Sequence, residues 1–284
     1  MKPAAFAYYR PQSVAEALAM LAQHGDDGKV LAGGQSLVAA MNFRLVRPAV
    51  LLDINDLQEL EQTRSANGVL SIGALTRHAT FHKPVVEGPL GILLAEVVKH
   101  IAHYPIRQRG TFGGSLAHAD PASEWCLIAT ALDAEMMVRS GQDENAVPAS
   151  AFFRGTFTTA LKPHQLLTEI RVPLLGSEWR TGFFEFSRRA GDFALAMAVA
   201  ALKIVDGRIA EARLAVGGVA DRAIRLTVLE RQLTGEPPTA KLFAGIADAA
   251  RDAIDPTEDI HASKQYRRDL VGVVVKRALQ RAVT

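Results

Sequence analysis

"GTFGGSLAHADPASEW", residues 110–125, puts three glycines within five residues and follows them with His118, Asp120 and Glu124. A bare backbone beside polar side chains is what an anionic ligand needs. Glycine lets the main chain approach closely and take left-handed angles, and free N–H groups at a helix start point toward negative charge. A second stretch of the same kind, "AGGQSL", lies at 32–37. Gly33 and Gly34 suit a strand–loop–helix turn around a phosphate, with Gln35 and Ser36 able to add side-chain hydrogen bonds. Gly113, Gly114 and Ser115 repeat the pattern. Neither stretch is G-x-x-x-x-G-K-[ST] or G-x-G-x-x-G, and tight turns also use paired glycines. Two such segments that clamp opposite sides of one diphosphate make a stronger signal than either alone.

The surrounding sequence frames both segments. Ser13 and Glu16 form a capping box ahead of Val14, Ala17, Leu18 and Leu21, and Gly25 closes that helix. A short strand at 30–32, the "GGQS" turn, a helix carrying Leu37, Ala40, Met41 and Leu45, and the strand "VLLDI" (50–54) make a small βαβαβ-like unit. Asn67-Gly68 between two strand-like runs predicts a hairpin. Residues 91–103 read as a helix leading to the second glycine segment, and a further helix is expected from Pro121 with Asp120 as its cap. "EMMVRS", "QLLTEIRVP" and "GFFEFSRR" read as strands. After a boundary near 175–180, strands follow at 196–205 and 211–219, then helices near 239–253 and 264–282. The class is α+β.

Composition narrows the function. The 284 residues carry a formal charge of +2, which gives no reason to expect a nucleic acid or an acidic membrane as partner. The single cysteine, Cys126, excludes an internal disulfide framework and a cysteine-ligated iron–sulfur cluster within this chain. "MKPAAFAYYRPQS" has no apolar core of a signal peptide. "ALAMAVAALKIV" (194–205) is interrupted by Lys203 and too short to cross a bilayer. A soluble cytoplasmic protein is the expectation.

Other chemistry is poorly served. A metal site needs three or four converging ligands, and a helix from Pro121 would turn Glu124 away from His118. His78 and His82 in "HATFH" lack the glutamate of H-E-x-x-H and read as surface residues; His100 and His103 read as structural. Ser36 and Ser115 are not in a G-x-S-x-G elbow, and Cys126 lies in an apolar helix as a buried, inert thiol. A cofactor that carries the reaction is the better expectation.

Five stretches in order resemble the FAD-binding medium subunit of the molybdenum hydroxylases, the xanthine dehydrogenase and carbon monoxide dehydrogenase family. They are "LAGGQSL" (31–37), "RGTFGGSLAHADPASE" (109–124), "FSRRAGDFALA" (186–196), "ARLAVGGVADRAIR" (212–225) and "DIHASKQYRRDLVGVVVKRAL" (259–279). The second is similar to the family's T-x-G-G-x-L-A-x-A-x-P-x-x-D. The resemblance spans essentially the whole chain. It implies a two-part FAD-binding domain of the vanillyl-alcohol-oxidase (PCMH) type, divided as 1–57 and 58–176. A CO-dehydrogenase-flavoprotein-like domain of antiparallel sheet plus helices would follow at 177–284. By the same resemblance, noncovalent FAD is held by Ala32, Gly33, Gly34, Gln35 and Ser36 on one side and Thr111, Gly113, Gly114 and Ser115 on the other. Glu124 stands where relatives usually have an aspartate at the ribose or adenine end, and Leu167 matches a backbone contact. Many relatives have a lysine just ahead of "RR"; here Phe184 and Glu185 stand there, and that contact is not carried over.

The resemblance also implies a division of labour. Substrate is hydroxylated at a molybdenum–pterin cofactor on a large subunit, electrons cross 2Fe–2S clusters on a small subunit, and FAD on the medium subunit delivers them to NAD⁺, oxygen or another acceptor. This chain would be the electron-transfer subunit of an (αβγ)₂ assembly. Two other readings of the residues stay open: a stand-alone FAD-dependent oxidase, and a dinucleotide-binding interaction module without redox turnover.

Overall fold

The computed structural model describes residues 2–284. Its first unit is a parallel three-stranded sheet of β1 (Ala7–Tyr9), β3 (Val50–Asp53) and β2 (Gly28–Leu31), in that order. α1 (Val14–His24) covers it with Val14, Ala17, Leu18 and Leu21, and Ser13 Oγ accepts the Glu16 N–H at 3.1 Å as the capping box predicts. α2 (Leu37–Asn42) is shorter than its sequence suggests and buries only Met41, so Leu45 lies beyond it and is exposed. β1 itself carries no periodic signal, because all three of its side chains are exposed.

The second unit is a five-stranded antiparallel sheet, ordered β4 (Thr63–Ala66), β5 (Val69–Gly73), β10 (Leu166–Pro173), β6 (Glu135–Ser140) and β7 (Asp143–Pro148). The Asn67-Gly68 hairpin forms, with φ of 52° and 77° at the two turn residues, as a two-residue turn with both angles positive requires. α3 (Pro89–Val97), α5 (Phe112–His118) and α6 (Glu124–Ala131) bury apolar side chains in the core to which this sheet contributes, whereas α4 (Tyr104–Arg109) buries no residue and lies against the turn His78–His82. The helix expected over 91–103 ends at Val97. Its last turn tightens into i→i−3 bonds, from the Lys99, His100 and Ile101 amides to the carbonyls of Glu96, Val97 and Val98, and Ala102 then takes a φ of +42°, so a new helix starts at Tyr104 instead. α7 (Ala149–Phe152) and the small ladder of β8 (Phe153–Gly155) with β9 (Thr158–Thr159) close the unit.

The third unit is an antiparallel sheet ordered β11 (Trp179–Phe186), β12 (Ala196–Val205), β13 (Arg208–Gly217) and β14 (Ile224–Arg225). α8 (Thr227–Leu233), which has no clear sequence signal, precedes α9 (Ala240–Asp252) and α10 (Lys264–Arg281). One face of the sheet packs on these helices. A Cβ on Gly182 would come within 2.1 Å of the Ala278 carbonyl oxygen, so α10 lies directly on β11. Phe183, Met197, Val199, Ala201 and Ala215 on the other face join the core of the second unit. Covered on both faces, β12 has the nearly continuous apolar run that such a position demands.

Candidate functional site

The first glycine segment leaves β2 at the carboxyl end of the parallel sheet, where Leu31 is paired with Asp53. Gly34 has a φ of +72°, the left-handed conformation that favours glycine. Gln35 Nε2 donates to the Gly33 carbonyl at 2.9 Å, which fastens the turn to itself. The amides of Gly34, Gln35 and Ser36 meet no acceptor among the described residues. Beside them opens a cavity of about 390 Å³, lined by Gly33, Gly34, Val38, Asn42, Asp53 and Arg109 among others.

The second segment departs from the loop expected of it. Gly113, Gly114 and Ser115 form the first turn of α5, and Thr111 is its N-cap, with Oγ1 accepting the Gly114 N–H at 3.1 Å. The other amides are also taken: Phe112 donates to the Thr76 carbonyl at 2.8 Å, Gly113 to Ala74 at 3.0 Å, and Ser115 to Thr111 at 3.1 Å. A Cβ on Gly113 would lie 2.6 Å from the Ala74 Cβ. The absence of side chains lets α5 sit on the end of β5. The two segments therefore differ in what they offer: free N–H groups from the first, a bare helical turn and side-chain hydroxyls from the second.

They also touch. A Cβ on Gly33 would fall 2.4 Å from the Arg109 carbonyl oxygen and 2.7 Å from Gly110 Cα. Arg77 bridges them, donating to the Asn55 Oδ1 at 2.8 Å and to the Arg109 carbonyl. Asn55 Nδ2 donates in turn to the Ala32 carbonyl at 2.8 Å. Asp53 accepts from the Tyr8 hydroxyl and from Asn55. Burial alone would raise the Asp53 carboxyl, but those hydrogen bonds outweigh it and hold the group below its ordinary value. Sequence reasoning missed Asp53, Asn55, Arg77 and Arg109. The available signal was a run of polar residues just past the ends of apolar strands, which surface loops share.

Glu124 begins α6 rather than sitting inside it. Ser123 Oγ caps the helix by accepting the Cys126 N–H, and Asp120 accepts the Ala122 N–H at 2.8 Å instead of capping. Burial raises the Glu124 carboxyl above its ordinary value, and the charge of Asp120 adds to this. Glu185, from β11, is raised by burial and then by Glu124, and its Oε2 is buried with no hydrogen-bond partner among the described residues. Phe184 points the other way, beneath the guanidinium groups of Arg277 and Arg281 at 4.7 and 4.9 Å. Leu167 lies in β10 next to a register shift, with its side chain in the core. Cys126 is buried and its thiol is pushed up to about 12, chiefly by burial. The His118 ring lies against Phe157, tilted by 30° with centroids 4.8 Å apart. His78, read from sequence as a surface residue, is instead buried beneath the second segment.

Residues 4–175 match the FAD binding domain in molybdopterin dehydrogenase. The chain belongs to that family. Residues 182–282 match the CO dehydrogenase flavoprotein C-terminal domain, so the two-part architecture is that of the family's medium (FAD) chains. Among curated relatives, caffeine dehydrogenase subunit beta from Pseudomonas sp. (strain CBB1) is 40% identical over 99% of this chain and 96% of its own. The carbon monoxide dehydrogenase medium chain of Hydrogenophaga pseudoflava is 35% identical over 99% and 98%. Among solved structures, carbon monoxide dehydrogenase from Hydrogenophaga pseudoflava superposes with a TM-score of 0.95 at 36% identity, covering 100% of this chain and 99% of that one. Quinoline 2-oxidoreductase from Pseudomonas putida 86 gives 0.92 at 35%, covering 99% and 98%. Like these, the chain is an oxidoreductase flavoprotein subunit.

Proposed function

We propose that this medium chain holds one noncovalent FAD across the junction of its two glycine segments and passes electrons from an iron–sulfur partner subunit to an external acceptor. The observation that carries the assignment is the set of amides at Gly34, Gln35 and Ser36 with no acceptor among the described residues, at a cavity that Ala32, Gly34 and Gln35 line; a Cβ on Gly114, in the bare first turn of α5, would come within 4.0 Å of Ala32 Cβ. These groups fit a diphosphate: N–H donors converge from one side, and a helix without side chains allows close approach from the other.

The residues would act as follows. Ala32, Gly33, Gly34, Gln35 and Ser36 bind one side of the diphosphate, and Thr111, Gly113, Gly114 and Ser115 bound the other. Glu124 would contact the ribose or adenine end, and Leu167 would offer backbone groups. The Arg77–Asn55 bridge holds the two sides at a fixed separation, so the site is organised before anything binds. When bound, FAD supplies chemistry no side chain has, because it accepts electrons singly and hands them on in pairs. Residues 1–57 and 58–176 would be the two halves of the FAD unit, and 177–284 the unit that closes over it. A large molybdenum–pterin subunit would reduce the iron–sulfur partner, in an (αβγ)₂ assembly placed in the cytoplasm.

The purified chain should be yellow, with about one FAD per chain, and acid precipitation should release the flavin into the supernatant. It should contain neither iron nor molybdenum. Chemically reduced, it should still reduce an artificial acceptor, whereas a hydroxylase substrate should bleach it only once both partner subunits are added. A colourless chain that takes up no FAD would refute the assignment. Substrate-driven bleaching of the chain alone would make it an autonomous oxidase.

A further inference from the structure

His78 is only 4% exposed, yet the binding scheme above gives it no task. It opens a 3₁₀ turn, His78–His82, and its backbone N–H donates to the Gly110 carbonyl at 3.0 Å, which places its ring directly under the second glycine segment. A Cβ on Gly110 would meet that ring at 2.6 Å. On one side of the ring, Nδ1 lies 3.0 Å from Nε1 of the fully buried Trp125. An indole nitrogen can only donate, so Nδ1 must accept and carries no proton. On the other side, Nε2 lies 3.5 Å from Ser115 Oγ. Burial, reinforced by Arg107 and Arg77, pushes the ring down to about 4 and keeps it neutral. A neutral imidazole with a bare Nδ1 carries its proton on Nε2, and that N–H faces the serine.

The consequence falls on the hydroxyl. Ser115 Oγ cannot donate to a nitrogen that already bears a proton, so it accepts from the ring. Its own proton is then free for another partner. We infer that His78, set in its Nε2–H form by Trp125, is a positioning residue that makes the Ser115 hydroxyl a donor to an anionic oxygen of the ligand. This rests on the FAD assignment, in which Ser115 faces the diphosphate. A neutral serine alone could turn its proton either way; the Trp125–His78 pair removes one of those choices before binding. The contact of 3.5 Å is long for a hydrogen bond and should tighten when the ligand draws on the hydroxyl proton.

Two measurements test this in the full chain. In ¹⁵N-labelled protein, the two tryptophans give two indole signals, and Trp179→Phe assigns them. The His78 ring should show an unprotonated Nδ1 and a protonated Nε2, with the Trp125 indole signal shifted by its bond. In parallel, FAD itself is titrated into flavin-stripped protein. His78→Gln keeps one amide donor and one acceptor and should hold the Kd within about threefold. His78→Leu keeps neither and should weaken FAD by about tenfold, as should Ser115→Ala. The His78→Leu change should add little on top of Ser115→Ala. If His78→Leu does not fold, the tautomer and the Gln variant still decide. The opposite tautomer, equal losses in the Gln and Leu variants, or full additivity with Ser115→Ala would each overturn the role of His78. A wild-type chain that binds no FAD would overturn the FAD assignment and the ligand role of Ser115 with it, whatever the tautomer.

Discussion

Gly33 and Gly34 are sequence neighbours with separate physical duties. Gly33 has no room for a side chain, because a Cβ would press on the Arg109 carbonyl oxygen at 2.4 Å, and that atom is backbone. Gly34 is less confined, since its nearest obstacles are the tips of Leu31 and Val38 at 3.1 and 3.2 Å, which need give only slightly, but its φ of +72° strains any other residue. Gly33→Ala must therefore push the two segments apart. It should cost about 1–3 kcal/mol of stability and lose flavin binding together with it. Gly34→Ala should cost about 1–2 kcal/mol and weaken flavin binding by reorienting the free amides while leaving the fold intact. Thermal unfolding and flavin content measured on both variants separate the two duties; identical profiles would show that the distinction is false. The sequence pattern singled out both glycines together, but that one is pinned by backbone contact and the other by its left-handed angle was not legible in it. That difference depends on Arg109, which lies far along the sequence.

At the scale of elements, α5 shows how a glycine-rich stretch becomes a helix. Two glycines in the first turn are unfavourable on propensity alone, by about 1 kcal/mol each against alanine. Thr111 offsets part of this through its cap on the Gly114 N–H. Phe112 anchors the same turn, packing on Trp125 at 4.8 Å and Phe81 at 5.4 Å. Thr111→Ala should therefore cost about 1 kcal/mol, lowering the melting temperature by about 2–4 °C in a chain of this size. Flavin affinity should fall with it if the bare turn bounds the diphosphate as proposed, because that turn would fray. A Thr111→Ser variant should recover most of both losses. Unchanged melting in the alanine variant would mean that the cap contributes nothing. The capping logic was readable in the sequence at Ser13; at Thr111 the glycines after it masked the same signal.

Across the whole molecule, the second and third units share one core, and two carboxyls lie at their junction. Glu185 is raised by burial and by Glu124, while Glu124 is raised by burial and by Asp120. A carboxyl whose value is higher folded than unfolded binds more protons in the folded state, so stability falls as pH rises above the ordinary 4.5. Below that value both states are protonated and the penalty vanishes. Glu185→Gln cannot ionise. At matched flavin content it should melt higher than the wild type at about pH 8, by on the order of 1–2 kcal/mol, and the gain should disappear as the pH falls below about 4.5. A gain that is the same at every pH would point to packing rather than charge. Nothing in the strand "GFFEFSRR" distinguishes Glu185 from Phe184 as the residue facing the FAD unit; the register of β11 against β12 decides it.

The sequence by itself determined the class of fold, the two glycine segments and the family. Those depend on local chemistry: apolar periodicity, caps, turn residues and motifs that each lie within a few neighbouring positions. The Asn67-Gly68 hairpin, the Ser13 cap and the long apolar run of β12 needed no distant partner to be recognised. Only the tertiary structure decided how those parts work together. It engaged the amides of the second segment through Ala74 and Thr76 and left those of the first free. It joined the two segments through Arg77 and Asn55, buried His78 between Trp125 and Ser115, and brought Glu185 to Glu124. Each of these pairs residues far apart along the chain. Their partners are set by how sheets and helices dock, and local pattern carries no record of that docking.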